Sequence, residues 1–340
     1  MPRLYEIDMQ KAQPMARTPQ DQFGLLATET RQFTDVCEMN EAYRGRADVR
    51  FMQTAPGGAA ATSRLTSIGP VQIQQISWTG KLITEAATAS NRTTLIIPEP
   101  RERPAFICGE HLNAAQIMLY GPSSEHFSEM SGRSRATQLF LPEGILEQAI
   151  AARLQNDPMN LASKRRLLTP GSDAMHSLRQ LIVELTQIID NDENAGVEPV
   201  CTSSLMKNLV DRIAEALCRD SSLASMANDQ LHASGYLLSR VKDIFNASGR
   251  ESIHLYELCK ELGVSARTLQ IAFKQAYGIS PMRYLKLRRL HAVRQRLITS
   301  SVDDVSIKRA ALEGGFVDRS RLAEDFRKLF GHLPSQAPRA

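Results

Sequence analysis

The 340-residue sequence contains no run of about 18 uncharged apolar residues, so it offers no candidate for a transmembrane helix. Its opening stretch, Met1 to Gln20, mixes charge with proline and lacks the apolar centre of a signal peptide, and a cytosolic location is expected. Cysteine is sparse. Cys37, Cys108, Cys201, Cys218 and Cys259 are odd in number and never spaced as Cys-x-x-Cys, which argues against a disulfide framework or a zinc site and for buried free thiols. Phosphate-cradling glycine motifs and the Gly-x-Ser-x-Gly elbow are missing too. His111 and His126 stand fifteen apart without a tight His and carboxylate cluster, so they read as structural. These absences leave no catalytic centre, metal or cofactor to expect.

What is present is an asymmetry of charge. Residues 1–230 carry 22 Lys and Arg against 27 Asp and Glu, a net −5, whereas residues 231–340 carry 19 against 10, a net +9. A basic segment joined to an acidic one points to a polyanion-binding module attached to a sensing or assembly module. Short apolar or alternating runs at 48–53, 71–78, 93–97, 105–108, 116–120 and 137–141, separated by Gly and Pro, predict a barrel or sandwich-like β-rich region over about 32–141. From Pro142 the period becomes helical. Ile145, Leu146, Ala149 and Ile150 form one stripe, Leu178, Leu181, Ile182, Leu185, Ile188 and Ile189 a second, and Leu205, Leu209, Ile213 and Leu217 a third. The third resembles a short heptad seam, open to dimerisation or to packing in its own domain. The expected class is therefore α+β: an N-terminal domain over 1–220, a small polar linker over 221–230, and an all-α domain over 231–340.

Within the basic segment, Ser265 to Pro281 reappears 53 positions later as Asp318 to Pro334. Leu269 matches Leu322, Phe273 matches Phe326, Lys274 matches Arg327, Tyr277 matches Phe330, Gly278 matches Gly331 and Pro281 matches Pro334. The apolar matches recur every four residues, so each copy is a helix burying the same stripe. Ser265 and Asp318 are N-caps, and the glycines suit left-handed C-terminal caps. A preceding helix over 252–262, joined by Gly263-Val264, makes the first copy a helix-turn-helix; Ile307, Ala310 and Ala311 with Gly314-Gly315 make the second.

Between the units Pro281 opens a helix reaching about Leu297 or Thr299, whose 17–19 residues span roughly 26–29 Å, near the ~34 Å between successive major-groove faces. With Leu269, Ala272, Phe273 and Ala276 turned inward, the first recognition helix presents Ala266, Arg267, Gln270 and Ile271 to base edges; Arg suits guanine and Gln suits adenine in bidentate contacts. The second presents Arg319, Ser320 and Arg321, of which the arginines read equally as phosphate clamps, with Glu324 adding negative charge. Phosphate contacts are expected from Lys274, Arg283, Lys286, Arg288, Arg289 and Arg327.

The residues Leu258, Ser265, Leu269, Phe273-Lys274, Gly278 to Pro281, Tyr284-Leu285, Arg288, Leu290, Gly315-Phe316, Ser320, Phe326-Arg327, Phe330-Gly331 and Pro334 resemble the AraC/XylS family of bacterial regulators. That resemblance implies an effector-responsive transcriptional regulator with a β-rich sensing domain in front. Promoter DNA is then the expected partner, a small molecule the effector, and RNA polymerase and a second copy of the chain further candidates. Two departures are Ile271, where the family often has a basic residue, and Ala310, where it often has Ile. Trp78, Arg92, Arg101 and Arg103 are candidates for a ligand pocket, against core filling or exposure. The rival readings are a barrel enzyme with a DNA-targeting tail, for which none of the cysteines has a suitable setting, and a constitutive DNA-binding protein without effector.

Overall fold

The computed structural model describes residues 26–44, 47–100, 105–155, 165–191, 199–218, 230–248, 253–299 and 306–337. Arg101, Arg103 and the expected linker, apart from residue 230, lie outside them. Among the described residues no helix is long and apolar enough to cross a membrane.

The first part of the chain runs β1 (Leu26–Phe33), α1 (Val36–Tyr43), β2 (Val49–Gln53), β3 (Ala59–Ile68), β4 (Val71–Ala87), β5 (Arg92–Pro98), β6 (Ala105–Ile107), β7 (Glu110–Leu112), β8 (Ile117–Tyr120), β9 (Glu125–Ser131) and β10 (Ser134–Pro142). Then come α2 (Ile145–Leu154), β11 (Arg165–Leu168), α3 (Ser172–Asn191) and α4 (Pro199–Cys218). The strands pair antiparallel in the order β11-β8-β5-β10-β4-β9-β6-β7, with β1 on β3, and β2 and β3 on β4. β4 organises this sheet. Residues 71–80 pair with β3 and β10, residues 81–87 with β2 and β9, and the strand crosses from one layer to the other at Gly80. There φ is +91°, and a Cβ would stand 2.3 Å from the Gly58 carbonyl oxygen, so only glycine allows the bend.

Side chains alternate along each strand, so β5 serves two cores. Leu95 and Ile97 join Ile73, Leu119 and Leu139 under α2, α3 and α4, while Ile96 joins Trp78, Met118, Tyr120 and Ala136 inside the half-barrel. Burial on both faces explains the continuous apolar run there. The heptad-like stripe of α4 is committed to the first of these cores: Leu209, Ile213 and Leu217 are fully buried in their own domain. The thiols depart from expectation. Cys37 and Cys108 are buried, Cys218 and Cys259 half-buried, and Cys201 is exposed because it falls in the first turn of α4, off the buried stripe.

The rest is helical: α5 (Gln230–Ser248), α6 (Leu255–Leu262), α7 (Ala266–Tyr277), α8 (Pro281–Thr299), α9 (Ile307–Glu313) and α10 (Arg319–Phe330), closed by a 3₁₀ turn at Pro334–Gln336. Periodicity had not marked α5. It packs Leu237, Leu238, Val241, Ile244 and Phe245 against the first helix-turn-helix unit, which also shares the core of the half-barrel. The second unit closes a smaller core around Leu290, Val293, Leu297, Ala310, Leu322 and Phe326.

Candidate nucleic-acid interface

Both recognition helices are fixed by the same local chemistry. Ser265 Oγ accepts from Thr268 N at 3.1 Å to start α7, and Asp318 Oδ1 accepts from Ser320 N at 2.8 Å and Arg321 N at 3.2 Å to start α10. Gly278 (φ 66°) and Gly331 (φ 84°) end them in the left-handed region. Gly263 ends α6 the same way, and Ser306 caps α9. Leu269, Phe273, Leu322 and Phe326 are buried to within 1% of full burial and lock each helix to its unit.

The faces left open are those turned from the two cores. Ala266, Arg267, Gln270 and Ile271 are exposed on α7, with Lys274 one turn further, its Nζ donating to the Gly278 carbonyl oxygen at 2.9 Å. Arg319, Ser320 and Arg321 are exposed on α10, as is Arg327. The two acidic residues on α10 are neutralised locally: Asp325 pairs with Lys286 at 2.6 Å, and Glu324 with Lys328.

The connecting helix departs from its expected role. α8 runs over the predicted residues, but it is not a basic rod open to phosphates. Arg288 is 2% exposed, its Nη1 3.6 Å from Glu85 Oε2 and its guanidinium 3.9 Å above the Phe245 ring. A buried guanidinium held by a carboxylate cannot reach a phosphate, so Arg288 leaves the DNA-contact set. Arg294, counted in the basic rod, pairs with Asp35 at 2.7 Å. Arg289 is half-buried and donates to the Ile253 carbonyl oxygen at 2.9 Å, which weakens its case as well. Arg283 and Lys286 stay exposed, although Arg283 also donates to the Thr54 carbonyl oxygen at 2.9 Å.

One face of α8 is thus an interdomain seam. Glu85 Oε1 of β4 accepts from the hydroxyls of Tyr277 at 2.8 Å and Tyr284 at 2.5 Å, and the two rings stack 5.4 Å apart. Burial, then the Glu85 charge, push both phenols above their ordinary range, so they stay protonated donors. Two helical turns on from Tyr284, His291 Nε2 donates to the Gln53 carbonyl oxygen at 2.9 Å, and burial pulls its pKa down to about 4. Gln53 Nε2 also donates to the Leu329 carbonyl oxygen at 2.9 Å, so the second unit is tied to β2 as well. Lys242 of α5 reaches Asp48 at 2.6 Å and Glu125 at 3.2 Å. Sequence reasoning missed Glu85 altogether; its one signal is a carboxylate within the strand-like run Leu82 to Glu85.

The pocket candidates separate as well. Trp78 is 4% exposed within the half-barrel. Arg92 is buried and structural, donating to the Pro70 carbonyl oxygen at 2.9 Å. His126 bonds Tyr120 and Ser128, and His111 is exposed beside Phe106. Among the described residues no cluster of three or more His, Cys, Asp or Glu could hold a metal ion.

Comparison with known proteins adds a domain match and partial relatives. The helix-turn-helix domain family matches residues 258–340. The chain is 24% identical over 191 residues to a probable thc operon regulatory protein of Rhodococcus erythropolis, covering 56% of this chain and 57% of that one. It is 35% identical over 96 residues to XylDLEGF operon transcriptional activator 2 of Pseudomonas putida, covering 28% of this chain and 61% of that one. It therefore spans about three-fifths of the length of these curated relatives. Among solved structures, the AraC-like transcriptional activator CuxR aligns with a TM-score of 0.42 and 14% identity, over 78% of this chain and 94% of that one. With two capped units in tandem and the family match over the same residues, the C-terminal segment of the chain is a helix-turn-helix domain.

Proposed function

We propose that the protein is a sequence-specific transcriptional regulator that binds promoter DNA through both helix-turn-helix units and responds to a small molecule held by its N-terminal domain. The observation that carries this is the pair of exposed, equivalently capped helix faces, Ala266, Arg267, Gln270 and Ile271 on α7 and Arg319, Ser320 and Arg321 on α10. Arg267 and Gln270 read bases; Lys274, Arg283, Lys286 and Arg327 hold phosphates. The first unit is the main reader, and α8 sets the spacing of the two heads. The regulator works in the cytosol, carries no catalytic activity, and has RNA polymerase and a second copy of itself as candidate partners.

Fluorescence anisotropy with promoter DNA over a salt series tests this reading. Affinity should fall steeply as salt rises, because each phosphate contact releases counterions. Arg267→Ala should cost about 1–3 kcal/mol of discrimination at one base pair, whereas Lys274→Ala should weaken all sequences alike and flatten the salt slope by about one unit. Equal affinity for every sequence, or no salt dependence, would defeat the proposal.

A further inference from the structure

The half-barrel encloses a cavity of about 20 Å³ lined by Trp78, Ile96, Ile107, Met130, Ser134 and Ala136, among others. Trp78 and Ser134 face each other across the β4–β10 register and are 4% and 3% exposed. Trp78 Nε1 and Ser134 Oγ are both buried and without any hydrogen-bond partner. Both residues line the one cavity, and a buried polar atom without a partner calls for an explanation, because folded proteins satisfy nearly all their buried polar groups. His126, another lining residue, has both ring nitrogens engaged, by Tyr120 at 2.8 Å and Ser128 at 3.0 Å. The side chain of Arg135, also in the lining, is largely exposed and lies 3.9 Å from Glu99.

We propose that this cavity is the effector site and that it takes a compact, neutral, largely apolar compound presenting one carbonyl or hydroxyl oxygen to Trp78 and Ser134. The proposal rests on the effector-responsive reading above. An indole N–H can only donate, so the ligand atom meeting it is an acceptor, and the serine hydroxyl can donate to the same oxygen. Ile96, Pro98, Ile107, Met130 and Ala136 make most of the remaining wall apolar, Gln138 adds a neutral amide, and the Arg135 guanidinium is exposed beside Glu99, so an ionised group among the apolar side chains is strongly unfavourable and a neutral molecule fits best. As it stands the cavity has room for about one water. Met130, unbranched and adaptable, is the wall that yields to something larger.

The same strands hold the DNA-binding domain. β4 carries Trp78 into the cavity and Glu85 to Tyr277 and Tyr284; β9 carries Met130 into the cavity and Phe127 edge-on to Tyr277, ring centroids 5.9 Å apart. A ligand that displaces Met130 or draws on Trp78 therefore moves the strands against which α7 and α8 are seated.

The test uses the full-length chain, whose single tryptophan makes its fluorescence a report on Trp78 alone. Acetophenone and benzyl alcohol serve as neutral oxygen-bearing probes, toluene as the apolar control and benzoate as the charged one. The neutral oxygen compounds should shift the emission saturably and raise the melting temperature, while toluene and benzoate bind about tenfold more weakly or worse. Trp78→Phe keeps an aromatic ring without the N–H and, read by melting temperature, should erase the preference for acetophenone over toluene; Ser134→Ala should reduce it independently if Trp78→Phe does not fold. No saturable response to either oxygen probe, or an undiminished preference in both variants, overturns the site and leaves a gap filled by one water. DNA affinity measured on the same samples separates the two readings. Saturable binding at Trp78 that leaves DNA affinity unchanged defeats the effector reading, whereas a DNA response to benzoate with Trp78 silent defeats the site alone.

Discussion

The two helix-turn-helix units carry the same motif, and a hydroxyl present in only one of them goes with different surroundings. Phe273 and Phe326 are both fully buried, and both recognition helices run twelve residues between a side-chain cap and a left-handed glycine. Where the first unit has Tyr277, the second has Phe330. The Tyr277 hydroxyl donates to Glu85 of the barrel; Phe330 has none to give and instead packs edge-on against His291, with the Arg294 guanidinium 4.8 Å from its ring. The first unit is consequently part of the barrel's own core, whereas the second keeps a separate core and touches β2 mainly through polar contacts such as Gln53 to Leu329. Repetition thus preserves what makes a helix and its stripe, and the residues that escape it decide what each copy is attached to.

The largest effect expected from breaking this asymmetry is at Glu85. Glu85→Gln takes the carboxylate charge from beside the Arg288 guanidinium, 2% exposed and 3.6 Å away, and losing one member of a buried pair costs about 3–5 kcal/mol. Denaturant unfolding should register that loss. Hydrogen exchange should quicken in α7 before α10. The double variant Glu85→Gln with Arg288→Met should recover most of the stability, since replacing the arginine by an apolar side chain removes the buried charge while the introduced amide can still accept from the two tyrosine hydroxyls. A loss below about 1 kcal/mol would show that the two units are seated alike.

Acid should act on the other unit. His291 is buried and neutral, its pKa pulled down to about 4 from an ordinary 6.5, first by burial and then by Arg294 and Arg50, against the hydrogen bond to Gln53 and the charge of Asp35. Because the folded value is the lower one, the unfolded chain takes up a proton first as pH falls. The stabilisation from this histidine is complete above about pH 6.5 and is lost on the way down to about pH 4, a total on the order of 3 kcal/mol. Melting temperature should fall across that window, and His291→Gln should flatten the fall. A profile unaltered by His291→Gln would mean that the seam at β2 does not depend on this proton.

The same distinction explains what the sequence reveals. Positions 265–281 and 318–334 are legible because each apolar residue answers to a helix of its own, and the caps are local chemistry. α8 is legible as a helix for the same reason, through Ser280 and Pro281, yet the place of Arg288 is not, because a basic stripe reads the same whether it faces DNA or a buried carboxylate from another domain. Deciding between them requires knowing that β4 brings Glu85, about 200 positions earlier, into contact with Arg288. β1 and β3 escaped notice because Leu26–Phe33 is largely exposed and Ala59–Ile68 is rich in Ala, Ser and Thr, so neither shows the apolar alternation of a half-buried strand. α5 lacked a sharp stripe and was covered by the first unit all the same.

The smallest effect is the one that isolates the hydroxyl itself. Tyr277→Phe makes the first unit identical to the second at this position and removes one of the two donors to Glu85 Oε1, leaving Tyr284 as the other. A hydrogen bond to a buried charged acceptor contributes about 1.5–3 kcal/mol; with Tyr284 still donating at 2.5 Å to the same oxygen, the loss should lie near the lower end. The converse change, Phe330→Tyr, puts a hydroxyl on a half-buried ring that can turn its edge toward water, and should change stability by no more than about 0.5 kcal/mol. Calorimetry on the pair should therefore give unequal answers to chemically opposite substitutions at equivalent positions. Equal magnitudes would mean that the tyrosine is a core ring like its counterpart and that Glu85 is held by Tyr284 and Arg288 without it.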